Sequence, residues 1–197
     1  MSVPDVGWRG SGNDGTSTGL VAATDIVASP YGGYAIEFNG TDEFVTCGTG
    51  ASLNLTSQIT IAALVRNTGV GFDYIAGKSS ASYLLLIRDI GLCRLLVTIG
   101  GVARTLGGTT DIRDSKWHTV IGSYDGSFMR LFLDGVQDVE PAAYSGAIAT
   151  EGAEFQVSSS IDSRGWTGQI ADVRLYSVGM AGIAAADLHA RLTRGRA

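Results

Sequence analysis

The chain has 197 residues, 45% hydrophobic and 17% charged, with 28 glycines against 3 prolines. That length fits one domain able to bury a core of its own, and the glycine-rich, turn-dense composition suits many short strands. A net charge of −5 without a basic run attracts no phosphate backbone, so nucleic acid is excluded as an expected ligand.

Residues 1–6 read as a tail, and Trp8 to Gly19 as a polar, glycine-rich loop. A strand is predicted over Leu20 to Val27, then a turn at Pro30, Gly32 and Gly33. Ala35 to Phe38 and Glu43 to Cys47 read as a hairpin turned by Asn39-Gly40. Gln58 to Arg66 is apolar on both faces and is expected to be an inner strand. Tyr74 to Ala76, Tyr83 to Arg88, Cys93 to Ile99 and Val102 to Leu106 follow as short strands, the last two joined through Gly100-Gly101. Trp117 to Tyr124 and Met129 to Leu133 form the clearest hairpin, because Asp125-Gly126 and Asp134-Gly135 close the second strand at both ends. Gly146 to Ile148, Glu154 to Val157 and Gln169 to Tyr176 complete the strands. Ile183 to Leu192 is predicted helical, with Leu188 and Leu192 on one face, Gly195 as its stop, and Arg191, Arg194 and Arg196 favourable at its C-terminal end. About a dozen short strands at this spacing, with no long repeat, imply a sandwich or barrel.

The segment W-H-x-V-x-x-x-Y-D-G-x-x-x-x-L-x-L-D-G, carried by Trp117, His118, Val120, Tyr124, Asp125, Gly126, Leu131, Leu133, Asp134 and Gly135, resembles the signature hairpin of laminin G-like domains of the concanavalin A-like lectin/glucanase group. Ala35 to Val45, Ser52 to Leu55, and Gly168 to Tyr176 are similar to the family's early hairpin, the segment after it, and its last strand, while Asn13-Asp14-Gly15 fits its opening. The resemblance implies an all-β, two-sheet antiparallel jelly-roll sandwich over residues 7–192, with one short C-terminal helix sealing an edge and a tail at 193–197. A fold of this kind hosts lectins, glycanases and structural modules, so function has to be read from sites.

The E-x-D-x-x-E carboxylates of this fold's glucanases are absent; the only glutamates are Glu37, Glu43, Glu140, Glu151 and Glu154. His118 and His189 lack a cysteine or serine partner, which leaves a hydrolase triad without support. Cys47 and Cys93 are expected to be thiols, Cys93 in the core, and without a CxxC pair a zinc site of that kind is excluded. The resemblance implies calcium at a rim, with Asp42 and Asp172 at the matching acidic positions, although Ala171 stands where the family has a second carboxylate. The bland alternative is turn hydrogen bonding by Asp42 and an Asp172–Arg174 contact. Loop aromatics beside polar groups, Trp166, Tyr144, Phe72 and Tyr74, are candidate glycan platforms, with rim packing as their bland alternative.

No secretory leader is visible, and the longest aliphatic run, Leu84 to Ile87, falls far short of the roughly 20 residues that cross a bilayer. The chain is therefore expected to fold in the cytosol without membrane insertion, and to leave by lysis or on a particle. Low charge suggests a surface covered by a partner. These features lead to an expectation of a non-catalytic virion surface component, a bacteriophage capsid decoration or fibre protein, docked on capsid or other structural protein or on copies of itself, and binding host glycans. The alternatives are a soluble lectin, calcium-assisted, and more remotely a glycoside hydrolase.

Overall fold

The structure, a computed structural model, describes residues 2–3, 13–159 and 164–194. In chain order the strands are β1 (Ser2–Val3), β2 (Gly15–Thr18), β3 (Ile26–Ala28), β4 (Tyr34–Asn39), β5 (Phe44–Thr46), β6 (Ile59–Asn67), β7 (Asp73–Gly77), β8 (Tyr83–Ile87), β9 (Leu92–Ile99), β10 (Val102–Asp111), β11 (Trp117–Tyr124), β12 (Phe128–Leu133), β13 (Val136–Gln137), β14 (Ala142–Ala143), β15 (Gln156–Ser158) and β16 (Thr167–Tyr176); the helices are α1 (Ala22–Asp25) and α2 (Gly182–Thr193). They build two sheets. The first runs β1-β2-β5-β15-β7-β8-β9-β10 and the second β13-β12-β11-β6-β16-β4-β3, with β14 paired to β12. The architecture is the all-β sandwich with one short C-terminal helix.

The second sheet is arranged around β6, which pairs with β11 on one side and β16 on the other. Its apolar run is explained by three separate contacts. Ile59, Ile61, Ala63 and Val65 face the core between the sheets. Ala62 lies on the opposite face under α2, with Ile121 and Phe132. Leu64 packs with Ala35 and Ala171 beneath Val27, Tyr31 and Trp117. The outer face of this sheet is thus covered by α2 and by residues of the β3–β4 hairpin. The helix lies on a sheet face and does not seal an edge, because Ala185, Leu188 and Leu192 present one apolar stripe to Ile121 and Phe132. At its C-terminal end Arg191 pairs with Asp187 at 2.8 Å; Gly195 and Arg196 lie outside the described residues.

In the first sheet Ile75, Tyr83, Leu85, Ile87, Leu95 and Val97 face the core. The intervening Leu84 and Leu86 point the other way and are nevertheless 3% and 1% exposed. Something covers them, and that cover is the candidate site below. The β9–β10 turn is the expected glycine pair, Gly100 and Gly101 at φ +58° and +79°, values that side chains disfavour and glycine accepts. Cys93 is 2% exposed, its thiol pushed up by burial, and it forms no disulfide with Cys47.

Several segments differ from the sequence expectation: Ser2–Val3, read as tail, pairs with β2, and β13 and β14 were not expected as strands. Leu20 to Val27 is one short turn of helix followed by β3, because Asp25 accepts the Val21 N–H at 2.5 Å and the Thr24 hydroxyl at 2.7 Å and closes the chain on itself. The region read as loop contains β2, whose Thr16 and Thr18 pair with Thr46 and Phe44; β-branched residues suit this half-exposed edge. The strand from Val102 runs on to Asp111, since the Asp138 carboxylate accepts from Thr109 N–H at 2.9 Å and from the Thr110 hydroxyl at 2.6 Å and holds the extension. Gly146 to Ile148 supplies only a single bridge, Ile148 to Ile99. Among the described residues no helix is long and apolar enough to cross a membrane.

Candidate ligand-binding site

The first sheet's outer face carries a pocket of about 240 Å³ lined by Phe72, Tyr74, Ser79, Ser80, Leu84, Leu86, Leu96 and Arg164. Strand alternation sets the floor: Leu84, Leu86 and Leu96 sit on β8 and β9 at the positions whose neighbours face the core. The wall comes from β7 and the loop before it. Phe72 and Tyr74 meet edge to face, ring centroids 6.1 Å apart. Arg164 lies across both, its Cζ 4.7 Å from the Phe72 centroid and 6.0 Å from that of Tyr74. This cation–aromatic layer is fixed from behind, because Tyr74 N–H donates to the Arg164 carbonyl at 2.9 Å. At the far wall Ser79 accepts the Ala81 N–H at 3.0 Å and donates to the Glu151 carboxylate. Lys78 ties the same corner together, donating to Asn54 Oδ1 at 2.5 Å and to the Glu151 carbonyl at 2.9 Å. An apolar floor, two aromatic rings, a guanidinium and two serines make a surface on which a sugar ring can stack and hydrogen-bond.

Of the four aromatics singled out in the sequence, Phe72 and Tyr74 come together here. Trp166 does not: it is 0% exposed and belongs to the core between the sheets. It is no stacking platform, and its burial follows from its place at the entry to β16, where its main-chain N–H donates to Ser158 Oγ at 2.9 Å. Tyr144 sits elsewhere, half-buried against the core, with Arg104 Cζ 5.0 Å from its ring. Arg164 was missed because a lone arginine in a polar loop carries no local signal. The YLLLI run of β8 did carry one, since a strand apolar on both faces requires cover on both.

The calcium pair is also separated. Thr167 pairs with Asn39, at the start of the loop that holds Asp42, while Asp172 lies five residues further along β16, roughly 16 Å away at strand spacing. Two carboxylates that far apart cannot share an ion that needs oxygens within about 2.6 Å. Each is engaged locally: Asp42 Oδ1 accepts from Asn39 Nδ2 at 2.8 Å, and Asp172 forms a two-pronged pair with Arg174, both contacts 2.8 Å. Asp172 adopts φ +49° at a bulge in β16, which aims it along its own strand. Among the described residues no three His, Cys, Asp or Glu converge as a metal site. The residues present do not fit calcium at Asp42 and Asp172.

A second recess, about 340 Å³, contains two carboxylates, Asp134 and Asp138. All four oxygens are engaged. Asp134 accepts from Thr119 N–H and is bonded to His118 Nδ1, both at 2.8 Å; Asp138 holds Thr109 and Thr110 as described. Both carboxyls are thus held in place by bonds within the protein. His118 bridges Asp134 and Asp114, with Nε2 3.1 Å from the latter. The Asp134 bond raises the histidine above its ordinary 6.5, burial opposes this, and Asp114 adds to the rise. Burial works against charge on Asp134, but the bonds from His118 and Thr119 outweigh it and hold the carboxyl below its ordinary 3.8. The stabilisation from His118 is therefore complete below its unfolded pKa and disappears as pH rises through the higher folded one. That from Asp134 is present above its unfolded pKa and disappears as pH falls through the folded one. The melting-temperature gap between wild type and His118→Gln is expected to be largest near about pH 5–6 and to shrink by about pH 8; a gap independent of pH contradicts the assignment.

Residues 39–180 match a laminin G family model, and the chain belongs to the concanavalin A-like lectin/glucanases superfamily. Among curated protein sequences none matches it. Solved structures of similar fold include the binding domain of Paraclostridial Mosquitocidal Protein 1 (TM-score 0.74, 12% identity, 98% of this chain and 52% of that one). The botulinum neurotoxin serotype G binding domain is similar as well (TM-score 0.69, 12% identity, 98% and 50%). A third is domain 4 of an extracellular arabinanase from Geobacillus stearothermophilus, in complex with arabinotriose (TM-score 0.68, 15% identity, 89% and 87%). This chain spans about half the length of the two toxin binding domains. At these identities the likeness establishes the fold.

Proposed function

We propose that this protein is a non-catalytic carbohydrate-binding module that holds an oligosaccharide on the outer face of its first sheet. The observation that carries the proposal is the joining of Phe72, Tyr74 and Arg164 over a leucine floor. The other outer face is taken by α2 and the β3–β4 hairpin; on this one Phe72, Tyr74 and Arg164 are part-exposed and form the solvent-facing rim above Leu84 and Leu86, which are themselves buried. Two features support the reading from outside the site: a neighbouring fold of nearly equal length was solved with arabinotriose, and the toxin neighbours are binding domains. The enzymatic alternative draws no support from the carboxylates of the second recess, which are all bonded within the protein. The expectation of a virion protein docked on a capsid finds no support in these comparisons and no feature of the pocket depends on it.

The test is an array of immobilised neutral and acidic oligosaccharides probed with labelled protein. Retention of at least one oligosaccharide, displaced by the same sugar in solution, is the expected result. If no sugar on a broad panel is retained, the glycan reading fails, and a protein receptor becomes the occupant to test.

A further inference from the structure

Across the open face, cross-strand partners form one row: Tyr74 on β7 faces Leu86 on β8, Leu86 faces Arg94 on β9, and Arg94 faces Gly107 on β10. Three strand spacings of about 4.8 Å make this row roughly 14 Å long. A guanidinium stands near each end, Arg164 above the β7 aromatics and Arg94 on β9. Gly107 leaves room beside Arg94, because even a Cβ at that position would lie 4.0 Å from Arg94 Nε.

The charges on this row are only partly balanced from within, since Asp89 acts on Arg94 from beyond ion-pair distance and opposes Arg88. Among the described residues no carboxylate lies within 4.0 Å of Arg94 or Arg164, a lack they share with Arg66, Arg104 and Arg194, whereas Arg88, Arg113, Arg130, Arg174 and Arg191 each have one. Arg94 Nε is buried and lacks a hydrogen-bond partner. Burial, and then the neighbouring positive charge of Arg88, pull its pKa down. A guanidinium half withdrawn from water, next to a second cation, is stabilised by an incoming anion, and its planar fork suits a carboxylate or sulfate.

We infer that the oligosaccharide taken by this face is acidic, carrying carboxylate or sulfate groups that Arg94 and Arg164 hold while Phe72 and Tyr74 stack on a sugar ring. The inference rests on the glycan reading above and narrows it to a ligand class.

The experiment compares wild type, Arg94→Gln, Arg94→Lys and Arg164→Gln on an array bearing neutral, uronate-, sialate- and sulfate-containing oligosaccharides, with an oligoglutamate peptide as a non-sugar anion. The expected result is preferential retention of an acidic sugar. Arg94→Gln and Arg164→Gln should each weaken it at least tenfold with melting temperature unchanged, and Arg94→Lys should recover part of the loss. Binding should also weaken as salt rises from about 50 to about 300 mM. Which of the three acidic classes is retained identifies the group. Retention of neutral sugars alone, or of acidic sugars equally by wild type and both glutamine variants, overturns the acidic assignment and leaves the glycan reading standing. Oligoglutamate held as tightly as the best sugar overturns it in favour of an acidic peptide. No sugar retained by any form removes both readings.

Discussion

Trp166→Ala is expected to lower stability by about 3–5 kcal/mol, the range for removing a large aromatic from a closed core. Trp166 is 0% exposed and packs within the inter-sheet cluster with Phe38, Ile75, Tyr83 and Ile170. A domain of ordinary stability holds about 5–15 kcal/mol in total, so the variant should unfold far earlier in denaturant or fail to accumulate. Trp166→Phe should cost much less. It keeps most of the buried area, and it removes the indole N–H, which is buried without a partner among the described residues. The check is urea unfolding of all three forms. If Trp166→Ala melts with wild type, the burial assigned to this ring is wrong.

Phe72→Ala with Tyr74→Ala is expected to do the opposite, abolishing ligand capture while sparing the fold. Both rings stand outside the core on the open face, half exposed, and the main-chain bond from Tyr74 N–H to the Arg164 carbonyl survives truncation of the side chains. Loss of two stacking surfaces should weaken binding about ten- to a hundredfold, equivalent to about 1.4–2.8 kcal/mol. The melting temperature should move by no more than a surface change does. Titration of the best array ligand against both proteins, beside their melting curves, separates the outcomes. Unchanged affinity in a folded double variant places the ligand elsewhere. A parallel fall in both quantities makes the rings structural.

These two variants also show what local sequence can and cannot convey. The turns were legible because their chemistry is local: Asp134-Gly135 adopts φ +50° and +80° as such a pair should. The burial of β6 was legible from its unbroken apolar run. Trp166 was misread because Gly165 and the polar residues before it imitate an exposed loop, and only the packing of two distant sheets decides that the ring turns inward. Phe72 and Tyr74 were visible as aromatics beside a glycine-rich loop, but their partner Arg164 is 90 residues away in the chain. Asp42 and Asp172 matched family positions one at a time, and no pattern in a single sequence reports the distance between them. Arg94 alternates with Cys93 and Leu95 like any outward-facing polar residue, and its significance comes only from Leu86 and Gly107 on either side.

The place of β6 has a further effect on how the chain must be made. Asn67, at its end, meets Thr167 across 100 residues of sequence. A ribosome therefore delivers the middle strand of the second sheet long before the neighbour that flanks it. Through most of synthesis one margin of β6, with its row of main-chain donors and acceptors and its apolar side chains, has nothing to join. Order can arrive only late, when β16 slides between β6 and β4 and α2 closes over Ala62. Such non-local pairing slows folding and prolongs the exposure of sticky intermediates.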